Sequence, residues 1–172
     1  ALNQRLPEDI RIQDSCEVPA DFHPRFQKTV KTYEYRILNR EFPLPAYRFN
    51  SHFTYRKLDV ERMRQAAAYL IGEHDFQSFC AAGAQVKTTV RTIYGLDVKK
   101  QGDLIIIRIT GNGFLYNMVR IIAGTLMKIG QGDWEPERMS EILAGCDRQL
   151  AGPTAPAKGL TLMEIHFKGE KG

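Results

Sequence analysis

Residues 91–130 read RTIYGLDVKKQGDLIIIRITGNGFLYNMVRIIAGTLMKIG, and a change of period inside this stretch decides the fold class. RTIYGLDV (91–98) and DLIIIRIT (103–110) read as a strand pair joined by a turn at Gln101-Gly102. After Gly111-Asn112-Gly113 the spacing becomes helical. Leu115, Met118, Val119, Ile122, Leu126 and Ile129 fall on one face, and Gly130 closes the run. Upstream, KTYEYRIL (31–38) alternates Tyr33, Tyr35 and Ile37 with Glu34 and Arg36, the period of a strand with one buried face. Asp59 is placed to cap a helix carrying Val60, Met63, Ala67, Leu70 and Ile71, stopped by Gly72. Downstream, Met139, Ile142 and Leu143 mark a shorter helix before Gly145, and TLMEIHF (161–167) returns to strand. Hairpins mixed with crossovers predict an α+β fold, a mostly antiparallel sheet with helices packed on one face.

The remaining composition bounds the class. The 172 residues are 43% hydrophobic and 26% charged, with no internal repeat or low-complexity tract, so a single domain over 1–172 is expected. No stretch approaches the roughly 18 uninterrupted apolar residues of a membrane span, so no membrane partner is expected. Cys16, Cys80 and Cys146 are odd in number and widely spaced, with no CxxC among them, which suits a reducing cytoplasm. The chain opens on Ala1 and runs into LNQRLPEDI without a charged and apolar leader. The expectation is a segment separated from a longer polypeptide.

Several motif matches fail. Gly111 and Gly113 begin a GxGxxG, but Tyr116 holds the third glycine position. His74-Asp75 has the composition of a dyad, yet adjacent residues point apart, so a structural or capping role is expected. His23, His52, His74 and His166 lack metal-ligand spacing, and no metal is expected.

Charge is distributed more tellingly than its net value of +4. Arg25, Lys28, Lys31, Arg36 and Arg40 face Glu34 alone between Pro24 and Arg40, whereas residues 133–150 carry five acids against Arg138 and Arg148. A basic patch beside Phe22, Phe26, Tyr33 and Tyr35 suits a polyanion that also offers planar groups to stack on. It equally suits a solvated strand edge. Arg120 sits in the first turns of an otherwise apolar helix. It is either a surface arginine that snorkels or a guanidinium aimed at a carboxylate or phosphate in a cleft.

Taken together, LNQRLPEDI, DFHPRF (21–26), KTYEYRI (31–37), GEHDFQSF (72–79), GNGFLYNMVR (111–120), DR (147–148) and TAPAKGLTL (154–162) make the chain similar to the TruA family of tRNA pseudouridine synthases. The resemblance runs almost end to end. It implies the pseudouridine-synthase fold and a tRNA partner, whose uridines at positions 38 to 40 of the anticodon stem-loop are re-attached through carbon instead of nitrogen. It also implies a homodimer that needs no cofactor.

The target uridine must leave the base stack, so its base needs flat or apolar surfaces. By resemblance Tyr33 lies against that base and Leu160 packs near it. Arg120 matches the arginine that pairs with the family's nucleophilic aspartate, and His23, Arg25 and Lys31 fall where the family approaches RNA. Lys31 departs from the arginine that many relatives carry; it keeps the charge but loses the bidentate fork. The nucleophile's own R-T-D-x-G-V-H segment occurs nowhere in these 172 residues. The resemblance therefore implies a carboxy-terminal domain separated from an amino-terminal domain that holds the aspartate. Such a domain is expected to be inactive alone, to leave Arg120 open to a cleft, and to expose apolar surface or a sheet edge. Two other classes stay open: a non-catalytic RNA-binding module related to TruA, and an α+β scaffold unrelated to RNA.

Overall fold

The computed structural model describes residues 2–24, 27–83 and 86–167. Among the described residues before the first strand none is buried, and Leu2, Ile10, Ile12 and Val18 are exposed. The regular elements then follow as β1 (Thr29–Asn39), β2 (His52–Thr54), α1 (Val60–Ala68), β3 (Gly72–Asp75), β4 (Val90–Gln101) and β5 (Leu104–Gly111). The chain continues through α2 (Met118–Gly130), α3 (Arg138–Gly145) and β6 (Leu160–Phe167).

The strands form one six-stranded sheet in the order β2-β1-β5-β4-β3, with β6 also paired to β1. Only three residues of β1 meet β2, in parallel; the other pairings among the described strands are antiparallel. The expected α+β architecture is therefore present. Alternation in β5 sends Ile105, Ile107 and Ile109 into the core, where they join Tyr35 and Ile37 of β1 and Leu96 and Val98 of β4. Met63, Ala66 and Ala67 of α1 and Ile122, Leu126 and Ile129 of α2 close over them.

Four local readings are corrected. β4 extends to Gln101 and β5 begins at Leu104, so the turn is Gly102-Asp103, with Gly102 at the positive φ of 59° that a primed hairpin turn needs first. Helix α2 begins at Met118, not Leu115, because Asn117 takes a left-handed φ of 60°. Glu34 does not face open solvent. Its strand is central, flanked by β5 and β6, so neighbouring side chains shield it and Arg36 pairs with it at 2.7 Å. Tyr35 is not part of an accessible aromatic patch, since it is fully buried.

The acidic stretch after α2 is largely neutralised within the fold. Asp133 takes Arg56 and Lys128, and Glu135 takes Arg62. Asp147 caps the turn that follows α3. His74 and Asp75 serve local structure, His74 meeting the Ile71 carbonyl and Asp75 accepting from the Gln77 amide.

Candidate nucleic-acid interface

Tyr33, Leu160 and Arg120 lie near Tyr35 of β1, beside the junction where β5 ends and α2 starts. Gly111 allows this junction to be tight, since a Cβ there would lie 2.8 Å from the Thr92 carbonyl oxygen. The Asn112 side chain then accepts from the Thr92 amide at 2.9 Å and fixes the loop to β4. Phe114, next along, stands edge-on to Tyr33 with ring centroids 5.1 Å apart. Tyr33 is half-buried, and burial raises its hydroxyl above the ordinary tyrosine range. In register across the sheet stands Leu162 of the edge strand β6, which exposes its side chain along with Met163 and Ile165.

Two residues farther along β1, Tyr35 points to the same side of the sheet but meets a different fate. Its hydroxyl donates to the Pro156 carbonyl at 2.8 Å. The turn over it closes only because Gly159 lacks a side chain, whose Cβ would come 2.7 Å from the Tyr35 ring. Burial pushes the Tyr35 hydroxyl far up, opposed by the nearby Arg120 charge. Leu160 follows that turn, faces Tyr35 in register and is half-buried against the core. Tyr35 is thus the hub around which Tyr33, Leu160 and Arg120 gather.

Helix α2 is buried over eleven of its thirteen residues, and Arg120 and Lys128 are the two exceptions. Lys128 is matched by Asp133 at 3.0 Å. Arg120 is half-buried; its Nε donates to the Ala155 carbonyl at 2.7 Å and an Nη to Asn117 Oδ1 at 2.9 Å. Both acceptors are uncharged, and no carboxylate among the described residues pairs with it. Asn117, the left-handed residue that delays the helix start, is therefore also an Arg120 support.

The segment that offers Ala155 is itself braced. Arg148 reaches the Ala151 carbonyl and the Thr154 hydroxyl, and the Gly152 amide donates to buried Thr125 at 3.0 Å. The sequence reading gave Phe114, Ala155 and Arg148 no site role, although all three lie in the stretches that carry the resemblance. Phe114 had a signal in its place directly after Gly111-Asn112-Gly113, whereas a backbone carbonyl such as that of Ala155 carries none.

The remaining predicted residues lie nearer the rim. Lys31 is half-buried on β1, between Gly111 of β5 and Ile165 of β6. His23 is exposed on the segment before β1, where Phe22 meets Phe167 edge-on at 5.4 Å. Arg25 and Phe26 lie outside the described residues. Among the described residues no group of three or more His, Cys, Asp or Glu is placed to hold a metal ion.

Comparison with known proteins gives this cluster a context. Residues 66–168 match the family model described as tRNA pseudouridine synthase. A tRNA pseudouridine synthase A of Brevibacillus brevis is 53% identical over 167 residues, covering 96% of this chain and 68% of the relative. Proteins of the same name from Bacillus pumilus and Acetivibrio thermocellus are 48% and 44% identical, and each aligns over 97% of this chain and 68% of its own length.

Proposed function

The chain belongs to the tRNA pseudouridine synthase family, and from that premise we propose that it is the carboxy-terminal domain of a TruA-type enzyme, supplying one wall of the uridine pocket and part of the RNA surface. The substrate is uridine at positions 38 to 40 of the tRNA anticodon stem-loop. The reaction breaks the bond from the ribose to uracil nitrogen and makes one from the same ribose carbon to a uracil carbon; that uracil carbon loses a proton and the freed nitrogen gains one, so the product is an isomer. The enzyme acts as a homodimer in the cytoplasm. Among the described residues no helix is long and apolar enough to cross a membrane.

The observation that carries this reading is the state of Arg120. A half-buried guanidinium held by two neutral oxygens, with no carboxylate partner among the described residues, supports the reading that its carboxylate comes from outside them. Such a charge beside a carboxylate keeps it ionised, as a nucleophile must be. The absent R-T-D-x-G-V-H segment would bring that carboxylate, and this chain spans 68% of the length of the relatives it matches. Tyr33, half-buried with the Phe114 ring edge-on to it, offers its face to the flipped base, and Leu160, in register with Tyr35, packs near that base.

Assaying unmodified tRNA tests the division of labour. The chain alone is expected to form no pseudouridine, and addition of a protein carrying the aspartate segment is expected to restore it. Pseudouridine from the chain alone sinks the proposal. RNA binding without restoration favours the non-catalytic module.

A further inference from the structure

Beside the Tyr33–Phe114 pair lies an open hollow of about 370 Å³, lined by Gln27, Thr29, Lys31, Arg91, Asn112 and Phe114 among others. It holds two cations, and none of its lining residues is acidic. Arg36, Arg40, Arg56, Arg62, Arg64, Arg108 and Arg138 all have carboxylate partners, whereas Arg91 has none among the described residues. Arg91 is also held in place. One Nη donates to the Thr88 carbonyl at 2.9 Å and the Val90 carbonyl at 2.6 Å. Those bonds fix the plane of the guanidinium and leave its Nε and other Nη without a described partner.

We propose that this hollow seats a single phosphodiester of the RNA strand, the one beside the nucleotide that lies against Tyr33, with Arg91 as a side-on fork and Lys31 as a second cation. The proposal rests on the RNA-binding reading above and adds a residue that reading does not use. A phosphate matches the geometry because two parallel N–H groups of a guanidinium meet two of its oxygens, while an ammonium supplies a point charge. Its neighbours fit as well. The side-chain amide of Gln27 and the Thr29 hydroxyl suit a ribose, and the aromatic pair suits a base.

The test measures binding of a tRNA anticodon stem-loop to the chain over a series of salt concentrations, for the wild type, R91Q, R91K and K31Q. R91Q and K31Q are each expected to lower the log–log salt slope by about 0.7 to 1. R91K is expected to keep the slope and still bind more weakly. In stem-loops carrying one neutral methylphosphonate linkage at a time, a single linkage should weaken the wild type and weaken R91Q less, since only Lys31 then faces that phosphate. Should the R91Q fold be damaged, as a shifted thermal melt would reveal, K31Q decides, because the Lys31 ammonium makes no hydrogen bond among the described residues. Unchanged slopes in folded variants overturn the seat while leaving RNA binding intact. A wild type with no salt-dependent RNA binding overturns the RNA reading itself, and the seat with it.

Discussion

The backbone of Gly124 in α2 runs so close to Pro153 that a Cβ on Gly124 would lie 1.8 Å from the Pro153 carbonyl oxygen. Gly152 is equally confined, its own Cβ position being 2.7 Å from Thr125 Cα. These two glycines let residues 152–155 lie directly on the helix, which puts Ala155 within reach of Arg120 at both its amide and its carbonyl. Gly124→Ala must push the two backbones apart, so it is expected to cost about 2–4 kcal/mol. Urea unfolding monitored by circular dichroism checks this, and an unchanged midpoint refutes the contact.

The two tyrosines of β1 should respond oppositely to loss of the hydroxyl. Tyr35→Phe removes the buried hydroxyl that donates to the Pro156 carbonyl, leaving that carbonyl the longer 3.4 Å bond from the Gly159 amide, and is expected to cost about 1 kcal/mol. Tyr33→Phe keeps the ring contact with Phe114 and should change stability by less than about 0.5 kcal/mol. Tyr33→Ala is the informative change for function, with a loss of RNA affinity of about 1–3 kcal/mol if a base stacks there. Equal stability losses for the two Phe variants would contradict the different roles assigned to the rings.

That contrast also marks how far the sequence could be read. Tyr33 and Tyr35 share one face of a strand by period alone, and only the turn closing at Gly159 separates an accessible ring from a core one. Ile105, Ile107 and Ile109 were legible because alternate burial follows from the pleat. Glu34 was misjudged because a central strand, flanked on both edges, can shield a polar residue that an edge strand would expose. The start of α2 was missed because Asn117 adopts a left-handed conformation that apolar spacing does not encode. Strand β2 was missed because it spans only three residues. Arg91 carried no motif and gained meaning only when β5 folded back to bring Asn112 and Phe114 beside it.

His52 predicts an acid-sensitive stability. It is half-buried on β2, and burial, reinforced by the Lys158 charge, lowers its pKa below the ordinary histidine value. The unfolded chain therefore takes up the proton at higher pH than the folded one. Stability is full above the unfolded histidine pKa of about 6.5 and declines as pH falls below it toward the folded value. Thermal melts between pH 7.5 and 5.5 should fall for the wild type and fall less for His52→Asn. Parallel curves for the two proteins would remove His52 as the cause.

Arg120 should be far more important to chemistry than to folding. Its two hydrogen bonds favour the fold, but they hold a half-buried charge that no described carboxylate neutralises, and these contributions oppose one another. In the isolated chain Arg120→Met is accordingly expected to alter stability by less than about 1 kcal/mol. With an aspartate-bearing half added, the same substitution would, on the proposed reading, remove the charge that keeps the nucleophile ionised and oriented. Pseudouridine formation should then fall by at least about 100-fold. Arg120→Lys supplies a charge without the fork that reaches both the Ala155 carbonyl and Asn117, so it should recover only part of the rate. Measuring single-turnover rates and tRNA affinity on the same variants separates the two roles. A rate loss matched by an equal loss of affinity would make Arg120 an RNA contact, whereas a loss in rate alone places it beside the nucleophile.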